Sequence, residues 1–255
     1  MIWKIFAYLR YLLTSKGRHG THSPFVYSFV DECLRQQLPL EIKHEYKQYY
    51  NDLINDSSQL SIHDMGAGSK KLSTIRKVSS IAKVSGTSKR YGKLLYQISA
   101  YYKPKKTLEL GTSLGLGTFM LAKGNPKGIV TTVEACPATQ KVAQQQFKRY
   151  KINNVATILD TFSAFLATDT TVYDLIFIDG DHRGNKLLAL LNQLEKNIHD
   201  ETIIILDDIR WTKDMATTWN KIIENTNYHL TMDLFRMGII AKRSHQQKEH
   251  FTIKF

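Results

Sequence analysis

From Tyr91 onward the chain alternates short apolar runs with longer helical stretches, and this alternation constrains the fold more than any other feature. Short runs rich in Val, Ile and Leu, each followed by Gly or an acid, read as strands buried on both faces. The helical stretches between them are the crossovers that parallel strands need. Strands are expected at Thr107–Leu110, Ile129–Val133, Ala156–Leu159, Asp174–Ile178 and Thr202–Leu206. Two further runs, His229–Leu234 and Met237–Ala241, are separated only by Phe235-Arg236 and read as an antiparallel hairpin. The expected class is α/β, a doubly wound sheet of seven strands closed by that hairpin. Residues 91–255 would form this domain and residues 1–90 a mostly helical accessory or lid region. The polar tail Ser244–His250 reads as a loop or frayed end.

The N-terminal run Ile2–Leu13 is apolar but interrupted by Lys4 and Arg10. It is shorter than the ~20 residues of a membrane span, and no small-residue cleavage site follows, so it is neither a span nor a secretory signal. It reads as an amphipathic helix packed on the rest of the protein, with an interfacial membrane helix as the alternative. Ser23 and Pro24 suit the cap and first position of a second helix.

Thirty-five Lys and Arg against 23 Asp and Glu give a net charge of +12. That balance suits an anionic partner, whether nucleic acid, anionic lipid or a phosphorylated substrate. The excess is densest in residues 1–90, with 14 basic and 7 acidic side chains. Cys33 and Cys136 are the only cysteines, too few for a disulfide framework or a thiolate metal cluster, which fits a reducing cytoplasm.

The expected first strand of the sheet runs through Glu109-Leu110 into Gly111-Thr112-Ser113-Leu114-Gly115, then into a helix. Glycines permit the sharp turn and let backbone N–H groups approach a ligand. Glu134, 23 residues after Gly111 at the end of the next strand, can accept hydrogen bonds from both hydroxyls of a ribose, so the pair reads as a nucleotide-type site. Asp64-Met65-Gly66-Ala67-Gly68-Ser69 looks similar but has no second strand ending in an acid at the right distance. It reads as a turn opening a helix, with a phosphate or carboxylate contact at that helix start as the alternative.

Acids also end the fourth and fifth strands. Asp179 leads Asp179-Gly180-Asp181-His182, and Asp207-Asp208 follows Ile203–Leu206. Carboxylates converging on one cleft repel one another unless a cation sits among them, and an oxygen-rich set suits Mg²⁺ or Mn²⁺. The other reading has Asp179 bonding a cofactor or substrate, and Asp207 and Asp208 capping a helix or holding loops. His182 can take a proton near neutral pH, or be a surface residue at a helix start. Trp211 and Trp219 can wall a substrate pocket, although an ordinary helix–sheet core explains Trp219 at least as well.

This order of motifs resembles the class I S-adenosylmethionine-dependent methyltransferases, and within them the O-methyltransferases of the catechol, caffeoyl-CoA and macrocin types. Glu109-x-Gly111-x-x-x-Gly115 matches the first-strand loop, Glu134 the ribose acid, Asp179 to His182 the fourth-strand motif and Asp207-Asp208 the fifth. The resemblance covers residues 91–243 and implies a Rossmann-like sheet and S-adenosyl-L-methionine as cofactor. It implies cofactor binding by Glu109, Gly111, Thr112, Ser113, Gly115, Glu134, Ala135, Thr161, Phe162 and Asp179. Asp179, Asp207 and Asp208 would hold a divalent cation such as Mg²⁺, and His182 with Asp179 would serve catalysis. Two departures stand out: His182 occupies the place of a lysine, and the adenine segment reads Asp160-Thr161-Phe162.

The expected reaction is methyl transfer to a hydroxyl, or an amine, of a small molecule. An RNA methyltransferase is the nearest rival, although the Asn/Asp-Pro-Pro-aromatic motif of exocyclic-amine methylation does not follow the fourth strand. A non-catalytic or membrane-peripheral protein keeping the cofactor fold is another, and so is an NAD-dependent oxidoreductase, which gives the acidic cluster no role. Candidate partners are the acceptor, a membrane surface through residues 1–13, and a second copy of the chain as a homodimer.

Overall fold

The computed structural model describes residues 2–17, 22–62, 74–85 and 87–255, so the glycine turn Asp64–Ser69 lies outside the described residues. The chain divides into two compact units, residues 1–35 with 171–255, and residues 36–170.

The first unit opens with helix α1 (Ile2–Thr14) and the short α2 (Pro24–Ser28). Pro24 starts α2 as expected, but the Ser23 side chain makes no capping bond. Tyr11, buried on α1, donates its hydroxyl to the Ile253 carbonyl at 2.6 Å.

The second unit begins with α3 (Leu40–Asn55), the antiparallel pair β1 (Gln59–Ile62) and β2 (Thr74–Lys77), α4 (Val78–Ser85) and α5 (Lys89–Tyr102). The β1–β2 pair puts a strand at Thr74–Lys77, where the run after the glycine turn reads as helix, and apart from this pair the described elements of residues 1–90 are helices, as expected. There follow β3 (Lys106–Leu110), α6 (Leu116–Gly124), β4 (Ile129–Glu134), α7 (Pro137–Arg149), β5 (Val155–Leu159) and α8 (Phe162–Thr168). Strands β3, β4 and β5 are parallel, with Leu110 opposite Val133 and Glu134 opposite Leu159. This register brings the segments after the three strands, at Gly111, Ala135 and Asp160, to one edge, where open α/β sheets bind ligands.

The first unit resumes with β6 (Tyr173–Ile178), α9 (Gly184–Gln193), β7 (Ile198–Leu206), α10 (Lys213–Glu224), β8 (Leu230–Leu234), β9 (Met237–Ala241) and β10 (Glu249–Thr252). Parallel pairing sets Ile178 opposite Leu206, so Asp179 and Asp207 leave the strand ends side by side. The hairpin β8–β9 is antiparallel and places β9 against β7. Helix α10 is capped by Thr212, whose hydroxyl accepts from the Met215 N–H, and it buries Met215, Thr218, Trp219 and Ile222 at helical spacing. Trp219 packs over Gly238, where a Cβ would come within 2.6 Å of the indole, so this tryptophan belongs to the core.

The α/β class with a closing antiparallel hairpin is borne out, and the strand count is corrected. The main sheet has eight strands, because β10 pairs in parallel with β8. Part of the polar tail is thus a strand: Glu249–Thr252 supplies backbone partners to an open edge, and Lys16 and Lys254 continue the pairing beside Thr252.

Candidate active site

In the second unit the cofactor candidates gather after β3 and β4. Gly111 and Gly115 have φ of 113° and 82°, and Ser113 lies between them at 48°. At Gly115 a Cβ would approach Phe147 and the Tyr49 hydroxyl to 2.6 Å, so only glycine fits. The N–H groups of Gly111 and Thr112 both bond the Val133 carbonyl, which ties the loop to β4. Half-buried Glu134 accepts from the Ser113 N–H at 2.8 Å and the Cys136 N–H at 2.9 Å, one bond to each oxygen. Each carboxylate oxygen keeps a lone pair for a further donor. Ala135 fills the turn between Glu134 and the start of α7. After β5, the Asp160 N–H bonds the Glu134 carbonyl, and Thr161 caps α8 just before half-buried Phe162.

Glu109 is set deeper, on β3 itself, and is almost wholly buried. One of its oxygens accepts from both Thr118 and Thr132, the latter at 2.6 Å. Thr132 has a single proton to give, so Thr112 must donate to Thr132 across their 2.6 Å contact. The other oxygen, Oε1, is buried with no hydrogen-bond partner. Burial, opposed by the two threonines and assisted by Glu134, pushes the Glu109 carboxyl up to about 7. A buried acceptor in need of a donor, a tight loop held by glycines at positive φ, and a strand-end carboxylate fit a cationic nucleoside cofactor.

In the first unit the acidic candidates meet an arginine that the sequence reading missed. Arg236, in the turn between β8 and β9, forms a two-point contact with Asp207: Nε donates to Oδ1 at 3.0 Å and Nη2 to Oδ2 at 2.7 Å. Its Nε also lies 3.0 Å from Asp208 Oδ1. Asp207, Asp208 and Asp179 all favour the charged guanidinium and hold its pKa above the usual value despite desolvation. Asp208, at a φ of 52°, has its carboxyl raised by burial and then by Asp207, while Arg236, His182 and Lys4 pull it down. His182 Nε2 stands 3.7 Å from Asp208 Oδ2. Asp181 is held by Arg183, which leaves His182 as the group of that motif beside Asp208.

The three acids do not fit a divalent cation as arranged. A bidentate guanidinium already supplies positive charge to Asp207 and bonds each of its oxygens, and Oδ1 also accepts from the Asp208 N–H. Among the described residues, the trio whose ligand atoms all lie within 4.8 Å of one another is Asp200, Glu201 and His245, not the three candidate acids.

Around Arg236 opens a cavity of about 440 Å³, lined by Lys4, Ile5 and Tyr8 of α1 with Asp208, Arg210, Trp211, Phe235 and Arg236. Trp211 is half-exposed there, as a pocket wall would be. Buried Asp233 braces the turn by receiving Arg210, the Trp219 indole N–H and the Phe235 N–H. The one early signal for Arg236 was its place in the two-residue hairpin turn. Lys4 and Tyr8 lay in a segment read for targeting.

Residues 108–209 match a family described as a methyltransferase domain. The chain is 28% identical over 128 residues to a catechol O-methyltransferase of Mycobacterium tuberculosis, covering 48% of this chain and 56% of that protein. It is 26% identical over 127 residues to the O-methyltransferase hkm8 of Aspergillus hancockii, covering 48% and 50%. It thus spans about half the length of these relatives. Among solved structures, the SAH-bound methyltransferase PaMTH1 of Podospora anserina aligns with a TM-score of 0.61 at 14% identity, covering 87% of this chain and 97% of that one. The O-methyltransferase of Bacillus cereus in complex with SAH aligns at 0.54 and 19% identity, covering 86% and 97%. In its matched domain, its fold and its motif order, the chain is similar to the class I S-adenosylmethionine-dependent methyltransferases, with O-methyltransferases among the proteins it resembles.

Proposed function

We propose that this protein transfers the methyl group of S-adenosyl-L-methionine to a hydroxyl of a small molecule, and that it does so without a divalent cation. The observation that carries the cofactor reading is Glu134, bonded to the N–H of Ser113 within the glycine loop of a matched methyltransferase domain. Gly111, Thr112, Ser113 and Gly115 would cradle the cofactor, Glu134 and Ala135 its ribose, and Thr161 and Phe162 its adenine. Glu109 would accept from its ammonium group, with Asp179 on the cofactor or acceptor side. When bound, the cofactor supplies an electrophilic sulfonium methyl group.

The chain's part is to orient the acceptor and remove its proton. The cavity beside Arg236 is of a size for a small aromatic acceptor. His182 would take the proton, and Asp208 would stabilise the resulting imidazolium. Arg236 would hold positive charge close to the developing oxyanion, the service a cation gives elsewhere. Residues 1–90 would have an accessory role, with α1 walling the cavity.

Calorimetric titration with S-adenosylmethionine and with NAD, followed by methyl transfer to a panel of phenols with and without chelator, tests this reading. We expect binding of the first ligand alone and chelator-insensitive turnover. Binding of NAD, or salt-sensitive methylation of RNA in place of phenols, would refute the activity. Loss of turnover on chelation would leave the activity but refute the cation-free mechanism and with it the role given to Arg236.

A further inference from the structure

Helix α1 presents the wrong side to its own protein. Ile2, Ile5, Phe6, Leu9, Leu12 and Leu13 are 44–87% exposed, and at 100° per residue they fall in one arc about 120° wide. The opposite side, which meets the first unit, is the more polar one. There Tyr11 bonds the Ile253 carbonyl, Lys4 Nζ lies 4.6 Å from the Trp211 ring centre, and Tyr8 packs edge-on against Phe235. An amphipathic helix serving only the core would be turned round, and a contiguous apolar strip of this kind marks an interaction surface.

Charge selects the occupant. Lys4, Arg10, Lys16 and Arg18 precede the first carboxylate of the chain, Asp31. Arg10 lies at the border of the strip, and Lys16 follows the helix within a turn. A second copy would bring the same cations, on a chain of net charge +12, against themselves. An anionic bilayer offers the opposite charge at its surface and apolar chains just beneath it, and both halves of the pattern are met. No helix among the described residues is long and apolar enough to cross a membrane. We therefore infer that α1 lies flat on an anionic lipid surface, its strip among the acyl chains and its basic residues at the headgroups.

The test is co-sedimentation of the full chain with vesicles of phosphatidylcholine alone and of phosphatidylcholine and phosphatidylserine in equal parts. The wild type should pellet with the mixed vesicles, less so as salt is added. Replacing Phe6→Ser with Leu13→Ser should weaken binding at least about tenfold, and Arg10→Glu about fivefold or more. Both strip positions are exposed, so melting temperature and S-adenosylmethionine affinity should stay unchanged. If that pair fails to fold, Ile2→Ser with Leu9→Ser takes its place. The inference is overturned if the wild type stays in the supernatant or binds phosphatidylcholine equally well. It is also overturned if the strip variants bind undiminished, or if the wild type is a dimer that they dissolve, which would give the strip to a second copy.

Discussion

Glu109 and Asp207 are both almost fully buried carboxylates near the carboxyl ends of strands, and the chain treats them in opposite ways. Glu109 meets only neutral hydroxyls and keeps one oxygen unpartnered, so burial drives it toward the protonated form. Asp207 meets a guanidinium that takes both its oxygens. The first environment has an acceptor to offer and suits a ligand that brings positive charge. The second has already settled its charge internally, with His182 standing 3.7 Å from the neighbouring Asp208. The two regions can be pulled apart by substitutions that act on one and spare the other.

The largest expected effect is on turnover. His182→Ala should lower kcat by about 10²–10⁴, the usual contribution of general base catalysis, with little change in cofactor affinity. The pH–rate profile should lose its acidic limb, and a variant that keeps that limb would remove His182 from the reaction.

Arg236→Ala should come next, by leaving Asp207 buried without its countercharge. Breaking a buried pair costs about 3–5 kcal/mol, and the lower figure applies because the arginine side chain is 31% exposed. Thermal unfolding with and without Mn²⁺ sharpens the result: the variant's melting temperature should rise with the ion, and the wild type's should not. A wild type equally stabilised by Mn²⁺ would show that Arg236 yields its place to a metal.

Gly115→Ala acts on the other region. The left-handed backbone costs an alanine roughly 1–2 kcal/mol, and overlap with Phe147 and Tyr49 adds about 1–3 kcal/mol. Calorimetry should show S-adenosylmethionine affinity falling with stability, because the same loop carries Ser113 to Glu134. Undiminished affinity would move the cofactor site away from this loop.

The same contrast explains what could be read ahead of the structure. The strands were legible because they are buried on both faces, so burial alone writes them as apolar runs. The glycine loop was legible because positive φ at Gly111 and Gly115 demands a particular residue. Strand β10 was not: Glu249–Thr252 pairs along an edge through its backbone, and no side-chain pattern marks it. Arg236 was not either, since it reaches Asp207 only through the register of β9 on β7. The outward turn of α1 was hidden for a similar reason. An apolar strip reads the same whichever way it faces, and the direction is set by Tyr11 reaching the Ile253 carbonyl, 242 residues away.

The smallest expected effect is the one most specific to the comparison. Glu109 has a folded-state pKa of about 7 against an ordinary 4.5, so between those values the native state holds a proton that the unfolded chain has released. Stability therefore falls as pH rises through that interval and levels off above it, by up to about 3 kcal/mol. Glu109→Gln cannot ionise and should lack this loss. The difference in unfolding free energy between variant and wild type, without cofactor, should move in the variant's favour from pH 4.5 to 7.5. A bound ammonium group would reverse the argument by favouring the carboxylate, so saturating S-adenosylmethionine should shrink the wild type's loss and leave the variant's curve nearly flat. A wild-type curve unchanged by the cofactor would detach Glu109 from the ligand and leave it as a brace for Thr118 and Thr132.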